Sequence, residues 1–371
     1  MNRKCIVYDA RKKYLNLKEF FYTKNNIELI VLNEVTISSR HMFVSDQPLV
    51  SYGTKSCESL NYNRKIDLTN SCIEYIFVGH QAPRNYFHWL IQSFASCFHQ
   101  SSFKCNVKFV FYKLKNWQKA ILEVFGFSND NILELDWHGV YYFEKISLYT
   151  SCFKKGSFSP SFYKNHYTID SLYYRAFVDC AKQLCNSKIS SNKIDCHDDY
   201  GLIYLSRKNI SVRSILNEDE LEASLVEQGF KVIYPEELSF LEQVNIFSNA
   251  KVIISSSGSA LTNVVFCNQD VILILLYKCE TNIEDGNWIY FTLSNGLTTF
   301  VYVENDFDFI VKRGRYDFGD WNINVSRMVN FSRAVLQARN SITHVVNNSD
   351  IDFLFERVRN DMDDAKLNSI D

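Results

Sequence analysis

The amino-acid sequence predicts an α/β protein built from two Rossmann-like, doubly wound domains. Three observations carry that expectation. Strand-like and helix-like stretches alternate twice along the chain, the pattern that winds a parallel sheet with helices on both faces. A polar, aperiodic stretch, Asn186–Tyr200, separates the two alternations and reads as a linker. Finally, 371 residues of which 46% are hydrophobic are long for one core and rich enough to build two.

In the first half, Cys72–Gly79 reads as a strand, and Asn85–His99 as a helix with Phe87, Leu90, Ile91, Phe94 and Phe98 on one apolar face. Val107–Lys113 and Tyr141–Leu148 read as strands, Trp117–Phe125 and Ser171–Cys185 as helices. In the second half, Leu202–Leu205 reads as a strand and Asn217–Gln228 as a helix. Asn217 is its expected N-cap, Glu218, Asp219 and Glu220 fill its first turn, and Gly229 ends it. Lys231–Tyr234 is a strand, and Ser239 opens a helix to Ala250 with Glu242 placed for a capping box. Val252–Ile254 is a strand, Ser255–Ser259 a loop, Ala260 a helix start, and Val271–Tyr277 a buried strand. Ile351–Met362 reads as a last helix. The expected division is residues 1–190 as one domain, 200–345 as a second, and 346–371 as a tail helix packing across both.

Composition narrows the function classes. Forty Lys+Arg against 42 Asp+Glu leave a net charge of −2, which provides no general field for nucleic acid or an anionic membrane. An anion site must therefore be local. The 11 cysteines show neither CxxC nor Cys/His zinc spacing and read as small buried hydrophobes in a reducing compartment. Met1–Asp9 has no apolar h-region and the run Val271–Tyr277 is too short to span a bilayer. A cytoplasmic protein is expected. The 29 Phe, 22 Tyr and 5 Trp serve as core residues, or in part as sugar-stacking faces.

Two constellations could carry chemistry. Tyr204-Leu-Ser-Arg207 places an arginine past the carboxyl end of a strand, and Arg213 follows. Ligands of open α/β sheets bind off such ends, and the planar guanidinium suits phosphate. Ile253–Asn263 runs a strand into the small-residue loop Ser257-Gly258-Ser259, whose backbone N–H groups are expected to face an anion. Together they make a diphosphate cradle; separately they are a solvated arginine pair and an ordinary loop. In the first half, Gly79–Leu90 follows a strand and enters a helix. His88 falls in that helix's first turn, where the positive dipole end favours a neutral imidazole that can act as a base. Tyr86 and Trp89 could stack on a sugar, or pack in the core.

The run Tyr204-Leu-Ser-Arg207, Arg213–Leu221, Gly229–Val244, Phe247–Ala250 and Gly258-Ser-Ala-Leu-Thr-Asn263 closely resembles glycosyltransferase family 61, and Asn85-Tyr-Phe-His-Trp-Leu90 resembles its amino-terminal motif. The family includes plant xylosyltransferases, animal O-linked N-acetylglucosaminyltransferases and bacterial capsule and polysaccharide enzymes. The resemblance implies a GT-B fold, with the active site between the two domains. It also implies inverting transfer from a nucleotide sugar, often a UDP-sugar, to a glycan or lipid-linked glycan acceptor, with no cofactor and no obligatory metal. On that reading His88 is the general base, and Asn85, Tyr86 and Trp89 lie on the acceptor side. Arg207, Arg213, Ser257 and Gly258 hold the diphosphate. Glu242 takes the ribose hydroxyls or completes its capping box, and Thr262 and Asn263 contact the donor or cap the loop. A lipid-carried acceptor would bring the enzyme peripherally to the inner membrane face. The chain departs from the family pattern at Ser257, where a histidine is expected, at Gln92, where an acid is expected, and at Phe94–Ser96, where Leu-Pro-Arg is expected.

Rival readings remain open at this point. Asp306/Asp308 or Asp350/Asp352 could form the Asp-x-Asp of a metal-dependent GT-A enzyme. A polysaccharide pyruvyltransferase shares the doubled architecture, and a non-catalytic nucleotide- or sugar-binding subunit would account for Ser257 and Gln92.

Overall fold

A computed structural model describes residues 2–9, 14–21, 29–38, 41–44, 47–50, 65–70, 72–78, 84–99, 106–137, 139–149, 175–191, 200–211, 213–279, 287–304, 310–312, 315–340, 356–358 and 360–362. The chain divides into two compact units, one of residues 24–165 and 170–184, the other of 1–23, 166–169 and 185–371. The first two strands, β1 (Asn2–Asp9) and β2 (Tyr14–Phe21), pair with each other antiparallel and add to the sheet of the second unit. Contacts thus group the amino terminus with the carboxyl-terminal half, whereas the linear division at residue 190 follows chain order alone.

The first unit holds β3 (Leu29–Ser38), β4 (His41–Val44), β5 (Gln47–Val50), β6 (Lys65–Asp67), β7 (Glu74–Phe77), β8 (Val107–Tyr112), β9 (Ile132–Leu135) and β10 (Val140–Tyr149). Their order is β5-β4-β3-β10-β7-β8-β9, with β6 beside β10. The expectation of a wholly parallel sheet is corrected here. Strands β7, β8 and β9 are parallel and β10 joins β7 parallel, but β3 is antiparallel to β10 and continues into a meander with β4 and β5. The meander lies in residues 29–50, before the first alternation legible in the sequence, and such an antiparallel edge on a parallel sheet is common. One face of the sheet buries Val35, Phe77, Val110, Leu135 and Phe143. On the other lies an aromatic cluster around Phe94, whose ring meets Trp89, Phe98, Phe125, Phe127 and Phe177. Helices α1 (Asn116–Val124) and α2 (Arg175–Ser190) supply Phe177 and flank Phe125. The expected linker therefore begins late: 186–190 continue α2, and 192–199 lie outside the described residues.

The expected α-helix over Asn85–His99 is a π-helical turn, His88–Ser93, followed by a 3₁₀ segment, Phe94–His99. The wider π turn brings residues five apart into line. Trp89 accordingly stacks flat on Phe94, with centroids 5.0 Å apart and planes 9° from parallel.

The second unit is the doubly wound sheet that the sequence predicts. It contains β11 (Leu202–Leu205), β12 (Lys231–Ile233), β13 (Val252–Ser256), β14 (Ile272–Tyr277) and β15 (Thr298–Val303), in the order β12-β11-β13-β14-β15-β1-β2. All described pairs except β1/β2 are parallel. Every residue of β14 is buried, as a central parallel strand covered on both faces requires. Helix α3 (Glu218–Glu227) follows β11, and α4 (Phe240–Asn249) follows β12. Further helices are α5 (Asn287–Ser294) and α6 (Val325–Asn340). Tyr204, Ile254, Ile274, Leu276 and Tyr302 pack with Leu221 and Leu225 of α3 and Met328, Phe331 and Val335 of α6. Val358 and Met362, in the described part of the expected tail helix, join the same core. Gly229, at φ +90°, terminates α3, with Phe230 N donating back to Leu225 O at 3.0 Å. Among the described residues no helix is long and apolar enough to cross a membrane.

Candidate functional site

The strand order of the second unit reverses at β11. The chain passes outward to β12 and then crosses back to β13 on the other side. Such a topological switch point opens a crevice beyond the carboxyl ends of the two diverging strands. The two segments singled out in the sequence end there: β11 delivers Arg207, and β13 delivers Ser257 and Gly258.

The structure brings Arg207 and Gly258 into contact. A Cβ built on Gly258 would collide with Nη1 of Arg207 and lie 3.2 Å from Cζ. Gly258 has φ −174°, ordinary extended backbone, so the glycine is needed for the room it leaves the guanidinium and not for its dihedral freedom. The loop then enters a 3₁₀ helix, Ser259–Phe266, in place of the expected α-helix.

Arg207 is half-buried, and burial together with the neighbouring Arg213 lowers its pKa to about 10. It therefore stays protonated at neutral pH. Glu218 opposes that fall. Its side chain, 3% exposed, accepts hydrogen bonds at Oε1 from Tyr204 Oη (2.7 Å), Arg207 N (2.7 Å) and Ser206 Oγ (3.4 Å). Desolvation raises the Glu218 carboxyl above its ordinary value, while the bonds from Arg207 and Tyr204 pull the other way. The Tyr204 phenol, fully buried beside this carboxylate, is raised well above its usual range.

Arg213 sits at φ +58°, a left-handed conformation that is sterically costly for a residue with a Cβ. The loop around it imposes that conformation. Ile210 N donates to Arg207 O (2.8 Å), Ser214 Oγ to Ile210 O (2.7 Å), Ser214 N to Asp320 Oδ1 (3.1 Å) and Trp321 N to Ser214 O (3.0 Å). Asp320 closes the strand β17 (Arg315–Asp320), which pairs with β16 (Ile310–Lys312). Asn217 is not the side-chain cap of α3. Its amide donates to Ile323 O (2.9 Å) and accepts from Ile323 N (3.1 Å), tying the same loop to the segment after β17. Backbone strain held by several independent bonds is a recurrent mark of ligand sites.

Three other residues expected at the donor are occupied in the fold. Glu242 completes the capping box of α4, its Oε2 accepting from Ser239 N at 2.7 Å. Thr262 and Asn263 are fully buried. Thr262 Oγ1 donates to Ser259 O (2.5 Å), and Asn263 Nδ2 to Gln243 Oε1 (2.6 Å), bracing the 3₁₀ turn against α4. Each of the three thus makes the local bond that was one of the two roles weighed for it. Sequence reasoning treated Glu218 only as a first-turn acid and passed over Asp320. The first carried a signal, an acid eleven residues after an arginine at a strand end; the second, over a hundred residues from Arg213, carried none.

In the first unit the strand order also reverses, at β7, which has β8 on one side and β10 on the other. Residues 79–83 lie outside the described residues, and the chain resumes at Arg84, whose guanidinium lies 5.1 Å over the Trp137 ring. Exposed Asn85 accepts at Oδ1 from His88 N (3.3 Å) and at its carbonyl from Trp89 N (2.9 Å), so it caps the π turn. His88 is half-buried, its ring edge-on to Phe87 at 5.4 Å. Tyr86 is half-buried beside Trp117, 5.5 Å away. Trp89 is 1% exposed and locked between Phe94 and Trp117. The π turn directs it into the aromatic core, the packing role that the sequence left open beside a sugar-stacking face. The side chain of Gln92 and the residues Asp306, Asp308, Asp350 and Asp352 lie outside what is described. Among the described residues no group of three His, Cys, Asp or Glu is placed to hold a metal ion.

No curated protein matches the chain. The family model described as Glycosyltransferase 61 matches residues 86–274, just over half of the 371 residues, and spans both the His88 turn and the Arg207–Gly258 crevice. The chain therefore belongs to glycosyltransferase family 61 and is a glycosyltransferase, taking sugar from a nucleotide-sugar donor to a glycan acceptor.

Proposed function

We propose that this chain is an inverting GT-B transferase that moves a sugar from a UDP-sugar to a hydroxyl of a polysaccharide or lipid-linked glycan, on the cytoplasmic side, without a required metal. The observation that carries the reading is the meeting of Arg207 with Gly258 at the switch point of a doubly wound sheet, with Arg213 held left-handed beside it. Two guanidiniums there suit the diphosphate of a donor, since each can give paired, charge-assisted hydrogen bonds.

In the reaction the acceptor oxygen attacks the anomeric carbon from the side opposite the diphosphate. The new C–O bond forms as the bond to the phosphate oxygen breaks, and the electron pair leaves with the diphosphate. Arg207 and Arg213 stabilise the charge growing there, and His88 takes the acceptor's proton. Tyr86 and Asn85 remain the acceptor-side residues in this reading.

The test is a donor screen by thermal shift, since binding raises native stability, using UDP-, GDP-, CMP- and dTDP-sugars and phosphoenolpyruvate. Transfer is then measured for His88→Ala and Arg207→Ala, with and without chelator. Expected are stabilisation by a UDP-sugar and a loss of roughly 10²–10⁴-fold in rate for His88→Ala. Arg207→Ala should weaken donor binding. Full transfer by His88→Ala would remove the base assignment, and stabilisation by phosphoenolpyruvate alone would replace the donor class.

A further inference from the structure

Arg213 lowers the proton affinity of Arg207, and both are half-buried beyond the carboxyl end of β11. Two positive charges so close repel, and something must hold both in place before a donor arrives. A buried carboxylate that acts on Arg207 is Glu218, at the first position of α3. Its Oε1 already takes three donors, two of them from the turn that presents Arg207. Its Oε2 is buried and, among the described residues, without a hydrogen-bond partner. The carboxylate is thus engaged on one oxygen by the backbone that seats Arg207, and it opposes the charge of the guanidinium that the same backbone carries. Removing the Glu218 carboxylate would therefore take away one formal negative charge that acts on the Arg207 guanidinium.

We propose that Glu218 is a positioning residue for the donor's diphosphate, fixing the seat of Arg207 while restraining the charge of the arginine pair so that the diphosphate product can leave. The proposal rests on Arg207 and Arg213 being the phosphate-binding pair. Restraint matters because a site one charge more positive would release the diphosphate more slowly, and product release limits many enzymes. Geometry and charge separate in variants. Glu218→Gln keeps the length and the oxygen acceptor for Tyr204 and Arg207 but removes the negative charge. Glu218→Ala removes both, and Glu218→Asp keeps the charge but draws back the acceptor.

The experiment is calorimetric titration of the full chain with inorganic pyrophosphate, which probes the diphosphate end whatever the nucleotide. The expected result is an order: Glu218→Gln binds about three- to tenfold more tightly than wild type, as removal of a nearby opposing charge demands, and Glu218→Ala binds more weakly than Glu218→Gln. Arg207→Ala should lose most of the affinity. Binding by Glu218→Gln equal to or weaker than wild type, or equal to Glu218→Ala, overturns the proposal while leaving the arginine pair intact. Wild type failing to bind, or Arg207→Ala binding like wild type, overturns the arginine assignment instead. Should Glu218→Gln not fold, Glu218→Asp decides: weaker binding supports a positioning role, and unchanged binding refutes it.

Discussion

Arg213 allows stability and function to be set against each other at one residue. Its φ of +58° is a conformation that costs a residue with a Cβ about 1–2 kcal/mol. Glycine would be relieved of that cost, but the freer unfolded chain takes back about 0.4–1 kcal/mol. Arg213→Gly is therefore expected to be more stable than Arg213→Ala by about 0–1.5 kcal/mol, because alanine keeps the strain and glycine does not. Both variants lose the same guanidinium. A hydrogen bond to a charged group is worth about 1.5–3 kcal/mol, so pyrophosphate or UDP affinity should fall in both by about 10- to 150-fold. The assay pairs the thermal midpoint of each variant with its Kd for pyrophosphate. Two units in one chain make the midpoint, not an extrapolated free energy, the right stability measure. A glycine variant less stable than the alanine variant would refute the left-handed assignment and the clamp through Ser214 and Asp320. Wild-type affinity in the glycine variant would refute the role of the side chain.

Gly258→Ala should drive the Arg207 guanidinium from its seat; donor KM is expected to rise by roughly 10²-fold, the scale of a 1 Å misplacement, and an unchanged KM would show that Arg207 does not act from where it lies. Burial raises the Glu218 carboxyl above 4.5, so the native state holds that proton more tightly than the unfolded chain. Its contribution is complete below the unfolded value and is lost as pH rises through the native one. The urea midpoint of wild type should accordingly decline relative to Glu218→Gln as pH rises from about 4.5, and a difference growing in the other direction would contradict the sign. Trp89→Ala should cost about 3–5 kcal/mol because the ring is enclosed by Phe94 and Trp117, whereas Tyr86→Ala should leave the midpoint within about 1 kcal/mol; equal losses in denaturant melts would argue against the packing.

The second unit was legible because its strands and helices are each specified locally. β11 and β14 fall where the apolar runs lie, Gly229 ends α3, and Ser239 with Glu242 caps α4. The first unit was less so. Strands β3 to β5 are joined by antiparallel pairings that no local period announces; in the second unit the exception is α6, a polar sequence whose buried side emerges only against the sheet. Of the site, Arg207, Arg213 and Gly258 could be named from strand ends and loop composition. Why they work together could not. Asp320 reaches Ser214 across 106 positions, and the π turn that removes Trp89 from the surface depends on Phe94, Trp117 and Phe111 converging from separate elements.

The serine at position 257 is best understood against that division of labour. The bonds that seat the arginine pair run through Glu218, Ile210, Ser214 and Asp320, and the close approach to Arg207 is made by the Cα of Gly258. None of these bonds involves the side chain of residue 257. Ser257 itself is half-buried, one residue past β13 and adjacent in the chain to Gly258. On the proposed reading, a serine in place of an imidazole here leaves the bonds around Arg207 and Arg213 unchanged.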